Sequence, residues 1–357
     1  MRRVSGREAG ASTWIAATPV LDAGRHGTTL GGGRKATKGR RSVWDNPSAE
    51  TQPTFRVLQS PPELLATGAR MSAVTTILSI QSSVAYGHVG NSAATFPLMR
   101  MGVEVYPVLT VHFSNHTGYG EWRGPLLAAS DVAEVIKGID ERGALERVDA
   151  VLSGYQGGED VGAVILDAVE LVRSRNPAAV YCCDPVMGDV GRGFYVRPGI
   201  PELMRDTVVP AAQIITPNQF ELEYLTGRSA GTVVEVLAAA DAARAKGPQT
   251  VLVTSVVHDR ATEGTIDMIA VTEEGAWSVT TPLLPRTFTG AGDLTAATFL
   301  AKLLASGSVA QAVGETAAVV YGVLRVTVES GEQELQLVAA QDELAAPSST
   351  FEVVRLR

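Results

Sequence analysis

The segment Thr289-Gly-Ala-Gly-Asp293 runs directly into an apolar stretch, residues 294–304. Two glycines let the backbone curl so that successive N–H groups face one concavity. The helix expected after them adds its positive N-terminal end, and the result suits an anion. Asp293 places a carboxylate at the rim of that concavity. An acid there can take the proton from a hydroxyl that attacks a phosphate, which is the chemistry of a kinase acting on a small alcohol. The tetrapeptide alone also fits a tight turn capped by aspartate before a helix, so the rest of the chain has to decide.

Two further blocks carry carboxylates in a related setting. Cys183-Asp-Pro-Val-Met-Gly-Asp189 follows an apolar run, with Asp184 at its tip and Asp189 one loop further on. Thr216-Pro-Asn-Gln-Phe-Glu221 repeats the form, a strand end, a proline turn and an acid on the first helical turn. Paired acids facing phosphates can hold Mg²⁺, mostly through water, because the ion keeps much of its hydration shell. An Asx turn before proline and a helix-dipole partner are the plainer uses of the same residues. A third group, Ser82, Gly87-His-Val-Gly-Asn91 and Phe113-Ser-Asn-His-Thr-Gly-Tyr119, mixes polar and aromatic side chains. That mixture suits a small heteroaromatic ligand needing stacking and hydrogen bonds, or ordinary turns, caps and a dimer contact. His88 and His116 are too far apart in sequence to suggest a metal pair, and each is expected to be a satisfied structural histidine.

These residues need a scaffold. Residues 74–80 read as a strand followed by a loop over 81–90 and a helix over 91–101. Strands are expected at 103–111, 150–153, 179–183, 213–215 and 250–253, and helices at 129–137, 161–174, 219–225 and 233–245. An antiparallel pair at 268–271 and 276–281, helices at 291–305 and 309–328, and a strand near 351–354 complete the unit. Apolar strands alternating with helices predict an α/β fold, a mainly parallel sheet covered on both faces. Ligands of such sheets lie beyond the carboxyl ends of the strands. Ser82, Thr117, Tyr155, Asp184, Thr216 and Thr254 all fall at those ends.

The chain of 357 residues is 45% hydrophobic, with a net charge of −8 that argues against nucleic acid or anionic membrane as main partner. No apolar run reads as long enough to span a bilayer. Cys182 and Cys183 are the two cysteines; strand neighbours point to opposite faces, so a disulfide between them is implausible and a reducing, cytoplasmic setting fits. Of the 30 Lys+Arg and 38 Asp+Glu, residues 1–70 hold 11 and 5, leaving 19 and 33 for the remainder. This basic, Gly- and Ser-rich segment shows no sustained periodicity and is expected to be disordered. A targeting segment, or a natural start at Met71, are the other readings of it, and the folded unit is expected over 71–357.

Leu78-Ser-Ile-Gln-Ser82, Gly90-Asn-Ser-Ala-Ala-Thr-Phe-Pro-Leu98, Phe113-Ser-Asn-His-Thr117, Asp184-Pro-Val-Met-Gly-Asp189 and Ile215-Thr-Pro-Asn-Gln-Phe-Glu221 closely resemble pyridoxal kinases. These belong to the ribokinase-like superfamily, which shares the Gly-x-Gly-Asp loop. The resemblance covers nearly all of residues 71–357 and implies a three-layer sandwich and a homodimer. It implies that Ser82 and Thr117 contact the pyridine ring, with Tyr155 nearby and Val89 and Phe113 as apolar walls. It also implies Asp184 and Glu221 near the ATP phosphates and metal, Asn218, Thr254 and Thr289 on the nucleotide side, and Asp293 as base. Ser83, His112 and Thr254 stand where relatives commonly carry histidine, glutamine and lysine.

The implied reaction transfers the γ-phosphoryl group of ATP to the 5′-hydroxyl of pyridoxal, and of pyridoxine or pyridoxamine. Mg²⁺, and in some settings a monovalent cation, accompanies it. The amides of Gly290, Ala291 and Gly292 are expected to hold the transferring group. The alternatives are a hydroxymethylpyrimidine kinase and a silent pyridoxal-phosphate-binding protein on the same fold.

Overall fold

A computed structural model describes residues 74–357. The expectations for residues 1–70, and for a start at Met71, lie outside the described residues.

β1 (Thr76–Val84) leads into α1 (Asn91–Arg100), β2 (Glu104–Phe113), α2 (Ala129–Asp140), β3 (Ala150–Ser153), α3 (Glu159–Arg175) and β4 (Val180–Cys183). A hairpin of two short strands follows, β5 (Gly188–Asp189) and β6 (Gly193–Phe194). Then come α4 (Ile200–Leu203), a π-helical turn Met204–Val208, α5 (Val209–Ala211), β7 (Ile214–Ile215), α6 (Gln219–Thr226), α7 (Val233–Arg244) and β8 (Thr250–Val256). The chain closes with β9 (Thr265–Val271), β10 (Ala276–Pro282), α8 (Ala291–Ser306), α9 (Val309–Ser330), α10 (Gln341–Ala345) and β11 (Val353–Arg355).

The strands form one nine-stranded sheet in the order β11-β10-β9-β8-β7-β4-β3-β1-β2. From β2 to β8 every pairing is parallel, and β9, β10 and β11 add an antiparallel edge. Side chains alternate between the faces, so the parallel strands feed two cores. Leu78, Ile80, Tyr181 and Cys183 pack with Ile136 of α2, Ile165 of α3, Leu222 of α6 and Val236 of α7. Ile77, Leu152, Cys182 and Ile214 pack on the other face with Leu98 of α1, Phe299 of α8 and Val313 of α9. Both cysteines are therefore buried and free, on opposite faces, as strand geometry requires.

Two expectations change. β1 does not end at Ile80 but continues to Val84, because the buried Asn91 amide donates to the carbonyls of Ser79, Gln81 and Val108. It thereby stitches the start of α1 to β1 and β2 across a register shift between Gln81 and Ser83. Ser82 lies at that irregularity, the kind of place where a strand re-aims a side chain. α9, at 22 residues and mean hydropathy 1.2, is long and apolar enough to cross a bilayer, contrary to the sequence expectation. Its apolar face is taken up instead by α8, α10 and strands β9, β10 and β11.

Candidate active site

α8 starts where β10 and its following loop deliver Thr289 to the carboxyl edge of the parallel strands. Gly290 is the residue before the helix and has φ +86°, with an ideal Cβ that would sit 1.9 Å from the His88 carbonyl oxygen. Only glycine fits both the backbone and the space. The first intrahelical bond runs from Leu294 N–H to Gly290 O (3.0 Å), so the N–H groups of 291–293 precede it, as at any helix start. That of Ala291 leans back to Phe288 O at 3.5 Å. Asp293 sits half-buried on the first turn. Burial pushes its carboxyl up to about 6, against the opposing pull of the Gly90 and Asp293 backbone N–H groups.

Asp184 directly follows β4 and is 5% exposed. Its Oδ1 accepts from the Thr216 hydroxyl (3.0 Å), and its Oδ2 lies 3.9 Å from where a Cβ on Gly292 would sit. The second oxygen thus faces the start of α8. Burial first, then the charges of Glu221 and Asp293, hold its carboxyl well above the usual carboxylate range.

Glu221 and Asn218 form a reciprocal cap on α6: Asn218 Oδ1 accepts from Glu221 N–H (2.9 Å) and Glu221 Oε2 from Asn218 N–H (3.0 Å). Glu221 Oε1 also accepts from the N–H groups of Met187 (2.9 Å) and Gly188 (3.4 Å), while Asn218 Nδ2 donates to Gly188 O (2.8 Å). The pair therefore ties the 187–189 segment to α6. Burial pushes the Glu221 carboxyl up to about 7, with those three backbone N–H groups working the other way. Thr254, near the end of β8, donates its N–H to Pro217 O (2.9 Å).

On the opposite wall, Phe113 ends β2 and lies 6.0 Å from the Trp122 ring. His116 caps the short turn Thr117–Tyr119 by accepting the Gly118 N–H on Nδ1 (3.2 Å). Tyr155 follows β3, with its carbonyl held by the Thr110 hydroxyl (2.8 Å); burial raises its phenol. His88 has a partner too, the Ser92 carbonyl at 3.2 Å, so both histidines have the structural bonds expected of them.

All these walls belong to one cavity of about 240 Å³. It gathers Ser82, Val89, Phe113, Thr117 and Tyr155 on one side and Asp184, Asn218, Glu221 and Thr254 on the other. Thr289, Gly290, Ala291, Gly292 and Asp293 lie in the same lining. Every residue singled out from the sequence as a site residue is among them.

The lining also holds residues the sequence reading passed over: Arg192 and Tyr195 of the β5–β6 region, and Ser255. Arg192 is the only lysine or arginine among the described residues that line it, and it stacks 5.3 Å from the Tyr195 ring. Tyr195 is pushed above its ordinary range by burial and by the acids around it. Ser255 has φ +55°, unusual for a non-glycine residue and typical of functional positions. The glycines of Gly191-Arg-Gly193 were the available hairpin signal.

A family model described as phosphomethylpyrimidine kinase matches residues 147–337. Pyridoxal kinase PdxY of Rubrobacter xylanophilus is 61% identical over 281 residues, covering 78% of this chain and 97% of that protein. Its counterpart from Leifsonia xyli is 58% identical, over 78% of this chain and 99% of that one. The chain belongs to the pyridoxal kinase family. Its fold matches pyridoxal kinase from Leishmania donovani, solved with ADP and pyridoxamine, at a TM-score of 0.75 and 29% identity. That match covers 79% of this chain and 100% of the other. The α/β sandwich expected from the strand pattern is thereby established, with helices on both faces of the sheet.

The residues fit a magnesium ion held mainly by water and phosphate. No group of three or more His, Cys, Asp or Glu able to cage a metal occurs among the described residues. The Asp184 Oδ2 faces the anion loop, whereas both Glu221 oxygens already accept backbone N–H groups.

Proposed function

We propose that this protein transfers the γ-phosphoryl group of ATP to the 5′-hydroxymethyl group of pyridoxal, giving pyridoxal 5′-phosphate, and acts on pyridoxine and pyridoxamine as well. The observation that carries this is the position of Asp293. It stands on the first turn of an anion-binding helix start and lines the same cavity as Ser82, Thr117 and Phe113. The relatives supply the substrate class, since they are pyridoxal kinases and the Leishmania enzyme holds ADP with pyridoxamine.

Ser82, Thr117 and Tyr155 hold the ring edge, and Val89 and Phe113 provide its apolar walls. Asp293 takes the proton of the 5′-hydroxyl as that oxygen attacks; a carboxyl near 6 is ionised at neutral pH yet retains proton affinity close to the working range. The N–H groups of Gly290, Ala291 and Gly292 are proposed to offset the charge of the transferring phosphoryl group, the Ala291 N–H giving up its long bond to Phe288 O. Asn218, Thr254 and Thr289 position the nucleotide. Asp184 and Glu221 are the residues that would hold Mg²⁺, which would neutralise phosphate charge when bound. We place the enzyme in the cytoplasm, on the reducing setting its free cysteines fit, and propose a homodimer on the family resemblance.

A panel of pyridoxal, pyridoxine, pyridoxamine and hydroxymethylpyrimidine with ATP tests the assignment. The family model over 147–337 keeps hydroxymethylpyrimidine as the rival substrate. A kcat/KM for hydroxymethylpyrimidine above that for pyridoxal would favour the sibling activity, and no ADP-coupled product from any of them would favour a silent binder.

A further inference from the structure

Glu334 lies beyond the C-terminal end of α9 and outside the cavity lining, yet it is 8% exposed and its carboxylate is aimed into the chain rather than at solvent. Its Oε1 accepts from the Tyr119 hydroxyl (2.7 Å) and from His116 Nε2 (3.2 Å), and its Oε2 accepts from the His88 N–H (3.1 Å). Because His116 Nδ1 already accepts the Gly118 N–H, the ring proton belongs on Nε2, where it can donate to the carboxylate. Gly87, at φ +90°, leaves room for the acid: a Cβ there would sit 2.2 Å from Oε2. Glu334 also pushes the Tyr119 phenol above its ordinary range.

One side chain thus joins two loops remote in sequence. The first carries His88 and Val89, and the His88 carbonyl is the close neighbour that only Gly290 tolerates. The second is the turn that presents Thr117. Leu335, next in sequence, approaches within 3.3 Å of where a Gly290 Cβ would lie. We infer that Glu334 is a positioning residue for the vitamer side of the cavity, setting the distance between the Val89 and Thr117 walls without touching substrate. This rests on the kinase assignment above. The nucleotide side is held by a separate network, Asn218 and Glu221 with the 187–189 segment, and has no bond to Glu334 among the described residues.

Glu334→Ala removes all three bonds, Glu334→Gln keeps the shape and part of the acceptor capacity, and Tyr119→Phe removes one bond only. Each is assayed for KM of pyridoxal, KM of ATP, kcat and melting temperature beside the wild type. Glu334→Ala is expected to raise the pyridoxal KM about tenfold, the weight of one charge-assisted hydrogen bond, and to leave that for ATP within about twofold. Glu334→Gln and Tyr119→Phe should fall between it and the wild type, in the same direction. Equal rises in both KM values, or a pyridoxal KM within about twofold of wild type in Glu334→Ala, would overturn the role, since a general loss of structure would spread to both substrates. Should Glu334→Ala not fold, the same split in Glu334→Gln decides. A wild type that phosphorylates no pyridoxal would bring down the kinase assignment, and this inference with it. An active wild type with symmetric variants would bring down this inference alone.

Discussion

Asp293→Asn isolates the proposed base, because the amide keeps the size and one acceptor oxygen of the carboxylate but takes no proton. General-base catalysis contributes about 10²–10⁴ in rate, so kcat should fall within that range. The KM values for ATP and pyridoxal should change little, since the amides around Gly290 and the Ser82 hydroxyl are untouched. The carboxyl near 6 adds a second signature: wild-type kcat/KM should decline as pH drops through about 6, and that limb should vanish from the residual activity of the variant. Stability supplies a third. A carboxyl raised in the fold binds its proton more tightly there than in the unfolded chain. Its contribution is therefore fully present below the unfolded value near 3.8 and lost as pH rises through about 6. At pH 7.5 the ionised group then costs the fold on the order of 2–3 kcal/mol. The Asn variant should melt a few degrees higher at pH 7.5, with the difference closing towards pH 4. Stopped-time kinase assays and calorimetry across pH measure both. A variant retaining more than about a tenth of wild-type turnover, above even the weak end of general-base effects, would refute the assignment of Asp293.

Thr117→Ala should raise the pyridoxal KM more than that of ATP, while Glu221→Ala, which frees the 187–189 segment, should do the reverse; the same ordering in both would refute the division of the cavity. Glu221→Ala should also lower the melting temperature, since it strands the N–H groups of Met187, Gly188 and Asn218. A chain beginning at Met71 should keep the wild-type kcat, because every assigned site residue lies between Ser82 and Asp293 and the cores begin at Ile77; loss of most turnover would show that the preceding residues contribute. Light scattering should give about twice the monomer mass, and a fully active monomer would contradict the homodimer.

The alternation of apolar strands and helices was legible because strands such as β3 and β4 are short, mainly apolar runs set between helical stretches. β3 falls where the sequence placed it, and its residues show why: Val151 is committed to one core and Ala150 and Leu152 to the other. β1 was cut short because Gln81, Ser82 and Ser83 look like loop. Their burial depends on Asn91, whose three bonds are tertiary and leave no periodic trace. β5 and β6, two residues each, are too short for any period to register. Around 200–211 no element was expected, although Pro201 and Pro210 stand there. Each occupies the first turn of a short helical piece, where proline is tolerated.

The site was legible to the extent that its chemistry sits on strand ends, and it faded where chemistry is arranged by residues that touch no ligand. The acids show the distinction. Asp184, Glu221 and Asp293 crowd one cavity and are raised first by burial, Asp184 also by the charges of the other two, which is a poor surface for an anion if they are taken as its binding groups. In the proposed reading the anion's partners are backbone N–H groups at the start of α8, which carry no net charge, while Arg192 lines the same cavity. On that proposal the carboxylates serve a proton and a cation. Asp293 is aimed from the anion loop itself, Asp184 faces that loop with one free oxygen, and Glu221 spends its oxygens holding the hairpin that carries Arg192. Sequence motifs suggest the first two proposed roles, because a loop or a strand tip marks them. The third is a matter of which backbone amides a side chain reaches, and Glu221 acquires it only once the 187–189 segment is folded against α6.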